Sequence, residues 1–216
     1  MKTSERLFNY VEPIWAGYMN HPFIQGMNDG SLDKEKFEFY LKQDYLYLLD
    51  YAKVFALGLV KSKKEEHMQI FGDMIQMIIN SETDTHKTYL EDLKVTREDI
   101  FQTSVSLTTD SYTKYMLAVA FEEGVAEIAV AVLACSWSYK YIADHMDEDK
   151  DHGYYAPWIE AYGSDGYSAG NDVSIQLVDD LTEGYTEAQL KNLEKIIWNC
   201  SRYEGMFWDM AWNMEL

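Results

Sequence analysis

The chain has 216 residues, and its 18 basic and 37 acidic side chains give a formal net charge of −19. This excess of negative charge argues against nucleic acids and anionic membrane surfaces as partners, because both attract basic patches. A single domain of more than ~150 residues buries about 70% of its unfolded surface and needs no disulfide. The two cysteines are therefore interpreted as free thiols in a reducing, cytoplasmic compartment.

Apolar residues at helical spacing run through most of the chain, and no segment alternates with period two for long enough to predict a strand. Candidate helix caps precede several of the apolar segments: Ser31 or Asp33, Asp110 or Ser111, and Thr186. In chain order, the predicted helices cover about residues 4–19, 35–60, 64–82, 85–93, 111–123, 125–145, 154–162, 171–183 and 187–213.

Turn and loop chemistry separates these helices. His21 precedes a proline and is more typical of a helix cap than of a metal ligand. Residues 96–99 begin a short turn, and the acidic residues 144–152 are predicted to form a loop. Residues 163–170 are also predicted to be a loop, because they are rich in glycine and serine.

The order of the elements predicts an all-α helical bundle formed by one domain, residues 1–216, because the loops are short and no repeat or linker is visible. The first six residues are polar and charged, unlike the apolar region of a signal peptide. The longest uncharged apolar stretch, about residues 128–139, is shorter than the ~20 residues that a membrane span needs. We therefore expect a soluble protein.

Three reactive side chains interrupt the apolar stripes of their helices: Asp44, Cys135 and Glu204. Spacings of three and four residues place each of them on one face with apolar neighbours. A carboxylate on an inward face costs several kcal/mol unless it is paired or hydrogen-bonded. Two carboxylates and a thiol that face inward from separate helices therefore predict a converging active site.

Each of the three also has a plainer interpretation. Cys135 alone is typical of an inert core thiol, and Glu204 lies on the surface if the phase of the last helix is misjudged. Asp44 is equally typical of a buried cap or of an ion pair with lysine or arginine. In the functional interpretation, a buried Glu204 has a raised pKa and acts as a general acid, and Asp44 recognises the edge of an aminopyrimidine-like ring.

The 17 tyrosines of the chain exceed what a core alone requires. Tyr47 lies three residues after Asp44, and Tyr139 lies four residues after Cys135, so each is expected to flank the same pocket as its neighbour. Flat aromatic walls with a few polar groups suit a planar heterocyclic ligand.

Metal and cofactor sites are not predicted. No Glu-x-x-His motif of a di-iron bundle occurs. Glu82 and His86 are four residues apart and share a helical face, but they lie near a predicted helix junction, and Asp149-x-x-His152 lies in the acidic loop. The chain also lacks a glycine-rich phosphate loop and a Gly-x-Ser-x-Gly nucleophile elbow.

Six motifs occur in order over nearly the whole chain: His21-Pro22-Phe23 with Gly26, Phe39-Tyr40-Leu41-x-Gln43-Asp44-Tyr45-x-Tyr47, Glu82-x-x-x-His86, Leu133-Ala134-Cys135-Ser136-Trp137-Ser138-Tyr139, Trp158-Ile159-x-x-Tyr162 and Glu204-x-x-Phe207-Trp208. In combination they resemble the TenA/thiaminase II family. Because it has Cys135, the chain resembles the cysteine-bearing branch of that family.

The resemblance implies a haem-oxygenase-like helical bundle, usually a homotetramer, and the lack of metal and phosphate-binding motifs predicts no cofactor. It implies an aminopyrimidine aminohydrolase of thiamin salvage, which converts 4-amino-5-aminomethyl-2-methylpyrimidine to the 5-hydroxymethyl compound and ammonia. It leaves open whether thiamin itself is hydrolysed, to the same pyrimidine and the thiazole alcohol.

The resemblance also implies separate roles for the site residues. Cys135 is the nucleophile, Glu204 is the acid and base, and Asp44 holds the edge of the pyrimidine ring. Four tyrosines line or polarise the pocket: Tyr47, Tyr112, Tyr139 and Tyr162.

Two other functions remain open on the sequence alone. The chain could be a non-catalytic pyrimidine-binding or regulatory helical protein in which Cys135 has no chemical role. It could also be a redox or haem enzyme built on the same bundle. Alkylation of the thiol tests the first alternative, and visible absorption with metal analysis tests the second.

Overall fold

The computed structural model describes residues 1–79 and 83–216, except for the side chains of residues 83–85. In these residues it shows α-helices joined by short connections, and no strand. The all-α fold class is therefore confirmed. The helices are α1 Thr3–Tyr18, α2 Pro22–Asn28, α3 Lys34–Lys61, α4 Glu65–Met77, α5 Thr83–Asp92, α6 Arg97–Gln102, α7 Leu107–Glu122, α8 Val125–Asp144, α9 Ala156–Gly163, α10 Asp165–Leu181 and α11 Glu187–Asn213.

Helix α8 lies at the centre of the bundle. It packs against α3, α7, α10 and α11, and also contacts α1 and α9. By length and composition alone α8 could cross a membrane, but 67% of its most apolar window is buried by the other helices. This is the pattern of a core helix, which is apolar because neighbouring helices cover most of its surface.

Polar side chains begin several helices where the sequence predicts them. The Asp33 carboxylate accepts a hydrogen bond from the Glu35 backbone N–H at 2.9 Å and begins α3. At α11, Thr186 and Gln189 form a reciprocal capping box. Helix α7 begins earlier than predicted, because the Ser106 hydroxyl accepts from the Thr109 N–H at 3.0 Å. The predicted caps Asp110 and Ser111 are therefore wrong.

Three predicted turns or loops contain helices. Most of the predicted loop at residues 163–170 forms the first turns of α10, which begins at Asp165. The Ser164 hydroxyl caps this helix by accepting a hydrogen bond from the Tyr167 N–H at 3.2 Å. Local capping thus outweighs the low helix propensity of glycine and serine. His21 is confirmed as a cap, since its Nδ1 accepts from the Phe23 N–H at 3.1 Å and begins the unpredicted α2. The turn at 96–99 continues into α6, and residues 80–82 of the predicted third helix lie outside the described residues.

Gly58 allows α3 and α4 to approach closely. A Cβ atom at Gly58 would lie 2.4 Å from Cε1 of Phe71, which is buried in the core. We therefore expect Gly58→Ala to lower the free energy of unfolding by about 1–3 kcal/mol, although alanine favours a helix. Urea denaturation measures the change.

Gly17→Ala is the matched control for that variant. Gly17 lies in α1, and a Cβ atom there would have no heavy atom within 4 Å. The control should be neutral or stabilising by up to about 1 kcal/mol, because only the helix propensity changes. Equal effects of the two substitutions would contradict the close packing of α3 on α4.

Candidate active site

Three helices bring a thiol, a carboxyl group and a phenol into one hydrogen-bonded group. Cys135 comes from α8, Glu204 from α11 and Tyr112 from α7. The Tyr112 hydroxyl donates to Oε1 of Glu204 at 2.8 Å, and the Cys135 side chain is also hydrogen-bonded to the Glu204 carboxyl group. Cys135 is half-buried, whereas Tyr112 and Glu204 are buried. The predicted convergence of this thiol with this carboxylate is therefore present.

The environment of Glu204 favours the protonated form of its carboxyl group. Only 2% of the residue is exposed, so the interpretation of Glu204 as a surface residue is wrong. Burial raises the pKa of its carboxyl group from 4.5 to about 8, and the nearby charge of Asp44 acts in the same direction. The hydrogen bonds from Tyr112 and Cys135 favour the ionised form and limit this rise in pKa. A group with such a pKa can give up or accept a proton near neutral pH.

Asp44 lies on α3, where it is paired with a histidine. Its Oδ2 lies 2.6 Å from Nε2 of His86 on α5, and both side chains are buried. The predicted ion pair with lysine or arginine is therefore wrong in the identity of the partner. Glu82, which the sequence places on the same helical face as His86, lies outside the described residues.

Aromatic rings form two walls around these polar groups. In the first wall, the ring of Tyr47 lies 5.2 Å from that of Tyr112. In the second wall, the ring of Tyr139 lies 5.0 Å from that of Tyr162 and 5.2 Å from that of Trp208. Burial raises the pKa values of Tyr47, Tyr112 and Tyr139 well above the usual 10, so these phenols stay neutral. The four tyrosines named from the sequence thus lie in these two aromatic clusters, and their contact with a substrate stays a prediction.

Two residues that contact the site lie in motifs of the family resemblance but are not among the predicted site residues. Tyr40 accepts a hydrogen bond from Nε1 of Trp158 at 3.3 Å and donates to the hydroxyl of Tyr139 at 3.4 Å. Its spacing of four residues from Asp44 is the signal that could have identified it. His86 is the second omission, because its contact with Asp44 spans 42 residues of sequence and depends on how α5 packs on α3.

The other cysteine lies close to the same group of residues but is fully buried. Cys200 on α11 is hydrogen-bonded to Tyr112, and burial raises the pKa of its thiol far above the usual range. A thiol of this kind is a poor nucleophile, because the thiolate is the reactive form. The half-buried Cys135 is therefore the better candidate for covalent chemistry.

Comparison with known proteins gives a consistent result. The sequence model of the TENA/THI-4/PQQC family matches residues 9–214. An aminopyrimidine aminohydrolase from Helicobacter pylori is 40% identical over 215 residues, which cover 98% of this chain and 99% of that protein.

Solved structures agree with the sequence comparison. A TenA homologue protein from P. horikoshii OT3 matches 99% of both chains with a TM-score of 0.90 and 27% identity. A domain from Shewanella denitrificans that is described as having a heme oxygenase-like fold has a TM-score of 0.76 at 15% identity and covers 97% of this chain and 92% of its own. This last likeness concerns the fold alone and confirms the predicted haem-oxygenase-like bundle.

Proposed function

Because this chain belongs to the TENA/THI-4/PQQC family, we propose that it is an aminopyrimidine aminohydrolase of thiamin salvage. The substrate is 4-amino-5-aminomethyl-2-methylpyrimidine, and the products are the 5-hydroxymethyl pyrimidine and ammonia. The full-length relationship to the Helicobacter pylori aminopyrimidine aminohydrolase supports this assignment. The observation in the structure that carries it is the hydrogen-bonded group of Cys135, Glu204 and Tyr112, which lies within range of the charge of Asp44.

In this proposal the substrate ring lies between the aromatic walls, with one edge toward Asp44. An aminopyrimidine edge presents an amino group that donates hydrogen bonds and a ring nitrogen that can be protonated. A carboxylate can accept both donors once the ring nitrogen carries a proton. Asp44 would therefore hold the ring and stabilise the positive charge that makes the ring electrophilic.

The chemical steps use the thiol and the carboxyl group in turn. Glu204 takes the proton of the Cys135 thiol, and the sulfur adds to a carbon of the pyrimidine ring. The carboxyl group then gives that proton to the exocyclic amine, and the electrons released by the ring expel ammonia. Water adds at the exocyclic carbon while Glu204 takes its proton. The carbon–sulfur bond then breaks, and the thiolate recovers the proton from Glu204.

This sequence of steps explains why Glu204 is buried. A carboxyl group with its ordinary pKa of 4.5 would be too weak a base for a thiol, whose ordinary pKa is near 8.5. With its pKa raised to about 8, the carboxyl group is a stronger base toward a thiol than an ordinary carboxylate, so the proton transfer costs less free energy than it would at a pKa of 4.5.

We further propose that residues 1–216 form one domain, that the chain assembles as a homotetramer, and that it acts in the cytoplasm. The buried residues of all parts of the bundle join in one hydrophobic core cluster, which supports a single domain. Leu107 and Phe121 on α7 are 74% and 68% exposed, and a subunit contact along α7 would cover these apolar side chains. Light scattering should give about four times the chain mass of 25.2 kDa, and a monomer would contradict the tetramer.

A hydrolysis assay tests the proposed function. Purified protein is incubated with the aminomethylpyrimidine and, in a parallel reaction, with thiamin, while ammonia and the 5-hydroxymethyl pyrimidine are quantified. We expect one ammonia for each hydroxymethyl product from the first substrate, and the second reaction measures thiamin cleavage. Binding of the pyrimidine without any product would favour the alternative of a non-catalytic pyrimidine-binding protein.

A further inference from the structure

We propose that His86 is a positioning residue that orients the Asp44 carboxylate for the substrate and thereby acts on pyrimidine recognition. The proposal rests on the proposed function, since it assigns a partner to the residue that would hold the ring. The contact between Nε2 of His86 and Oδ2 of Asp44 is 2.6 Å long, which is typical of a strong hydrogen bond to a charged acceptor.

The surroundings of Asp44 make this contact important. The side chains of His86 and Asp44 are only 3% and 6% exposed, so little water is available to solvate the carboxylate. Among the residues that the structure describes, His86 supplies the side-chain hydrogen bond that Asp44 receives, and no lysine or arginine forms an ion pair with it. A buried carboxylate needs such a donor to remain in place.

The geometry also divides the two oxygen atoms of Asp44 between two tasks. The imidazole holds Oδ2, and no hydrogen bond from the described residues engages Oδ1. Asp44 contributes to the raised pKa values of Glu204 and Tyr139, which places its charge close to the reacting groups. Fixing Oδ2 from the side of α5 therefore presents Oδ1 to the aminopyrimidine edge in one orientation.

His86 contacts Asp44 from a helix that contributes no residue to the aromatic walls. It comes from α5, whereas the walls of the site come from α3, α7, α8, α9 and α11. Because His86 contacts the carboxylate that would contact the substrate, its loss should weaken ring binding through Asp44 rather than remove a reacting group. We therefore expect the loss of His86 to weaken ring binding only while Asp44 can carry a charge.

The test is a double-mutant cycle on the full-length protein. His86→Leu removes the donor, and we expect kcat/KM for the aminomethylpyrimidine to fall by roughly 10- to 100-fold, mainly through KM. His86→Gln keeps an N–H donor of similar reach and should recover most of that loss. In an Asp44→Asn background, His86→Leu should cost less than about threefold, because the charged acceptor has already been removed.

Two controls separate the role of His86 from unrelated effects. His67→Leu replaces another buried histidine, on α4, and should leave kcat/KM within about twofold of the wild type. Calorimetric binding of the 5-hydroxymethyl pyrimidine to each variant reads ring recognition without turnover. If the wild type binds this ring but does not hydrolyse the substrate, the proposed function fails while the role of His86 is still measured by binding.

Two results would overturn the role of His86. One is an unchanged dissociation constant and kcat/KM in His86→Leu. The other is an equal loss in the presence and absence of the Asp44 charge, which would indicate a purely structural residue. If His86→Leu does not fold, His86→Asn takes its place, because the shorter amide cannot reach Oδ2 of Asp44 but keeps the polarity of the position.

Discussion

Replacement of Cys135 by alanine is expected to lower kcat for the aminomethylpyrimidine by about 10⁴-fold or more, while binding of the ring stays nearly intact. Loss of a covalent nucleophile has an effect of this order, because the remaining groups supply only orientation and electrostatic stabilisation. The thiol lies beside the Glu204 carboxyl group, and its removal leaves that group without the partner to which it passes a proton. Single-turnover kinetics and calorimetry measure the two quantities.

Cys200 supplies the control for this prediction. Iodoacetamide should label the wild type once, at the half-buried Cys135, because Cys200 is fully buried and its thiol pKa is strongly raised. Cys200→Ala should therefore keep a labelling stoichiometry of one, and Cys135→Ala should lose it. Near-normal hydrolysis by Cys135→Ala would exclude covalent catalysis, and rapid labelling at Cys200 would contradict the burial of that thiol.

Glu204→Gln is expected to lower kcat by about 10²–10⁴-fold, which is the usual contribution of a positioned general acid and base. Glutamine keeps the size of the side chain and can still accept the hydrogen bond from Tyr112, so the fold should persist. It cannot take the proton of the Cys135 thiol. Steady-state rates with excess substrate give the change in kcat.

The same residue sets the pH dependence of the wild type. Since the pKa of Glu204 is raised to about 8, the carboxyl group loses its function as a base as the pH falls below that value. We therefore expect kcat/KM of the wild type to fall with decreasing pH below about 8, and this dependence should be absent in Glu204→Gln. A pH profile for both proteins checks the difference.

Glu127→Gln is the matched control, because Glu127 is also buried but lies at the start of α8, outside the site. Its turnover should stay within about twofold of the wild type. A loss of less than tenfold in Glu204→Gln would point to a structural carboxyl group instead.

The sequence was sufficient to predict that Asp44 and Glu204 lie on the buried faces of their helices. Asp44 and Glu204 interrupt apolar stripes, and both are buried in the structure. A stripe fixes the face of a helix but not the helix that it meets. For this reason the hydrogen bond between Tyr112 and Glu204, which joins residues 92 positions apart, does not follow from periodicity.

The remaining omissions have related physical causes. His86 contacts Asp44 because α5 packs on α3, and no local pattern encodes that arrangement. Residues 163–170 have the composition of a loop, yet a single hydroxyl, that of Ser164, begins a helix there. Sequence patterns thus recover the classes of residue and their faces, whereas pairing between distant helices and short capping contacts depend on the assembled bundle.

The buried carboxyl group of Glu204 also links proton binding to the stability of the whole bundle. Its pKa is about 8 in the folded chain and near 4.5 when exposed to water, so the folded state binds more protons between these two values. The stabilisation is complete below about pH 4.5, where both states are protonated, and it is lost progressively until the pH exceeds about 8. Each unit of rising pH in this window lowers the free energy of unfolding by up to about 1.4 kcal/mol.

A trade-off between activity and alkaline tolerance follows from this linkage. The ionised form of Glu204 that accepts the thiol proton is also the form that its buried position disfavours. An uncharged glutamine at the same position would give a much less active bundle that lacks this contribution to the loss of stability with rising pH. The buried Glu204 therefore makes the protein less stable at alkaline pH than the packing of its helices alone would make it.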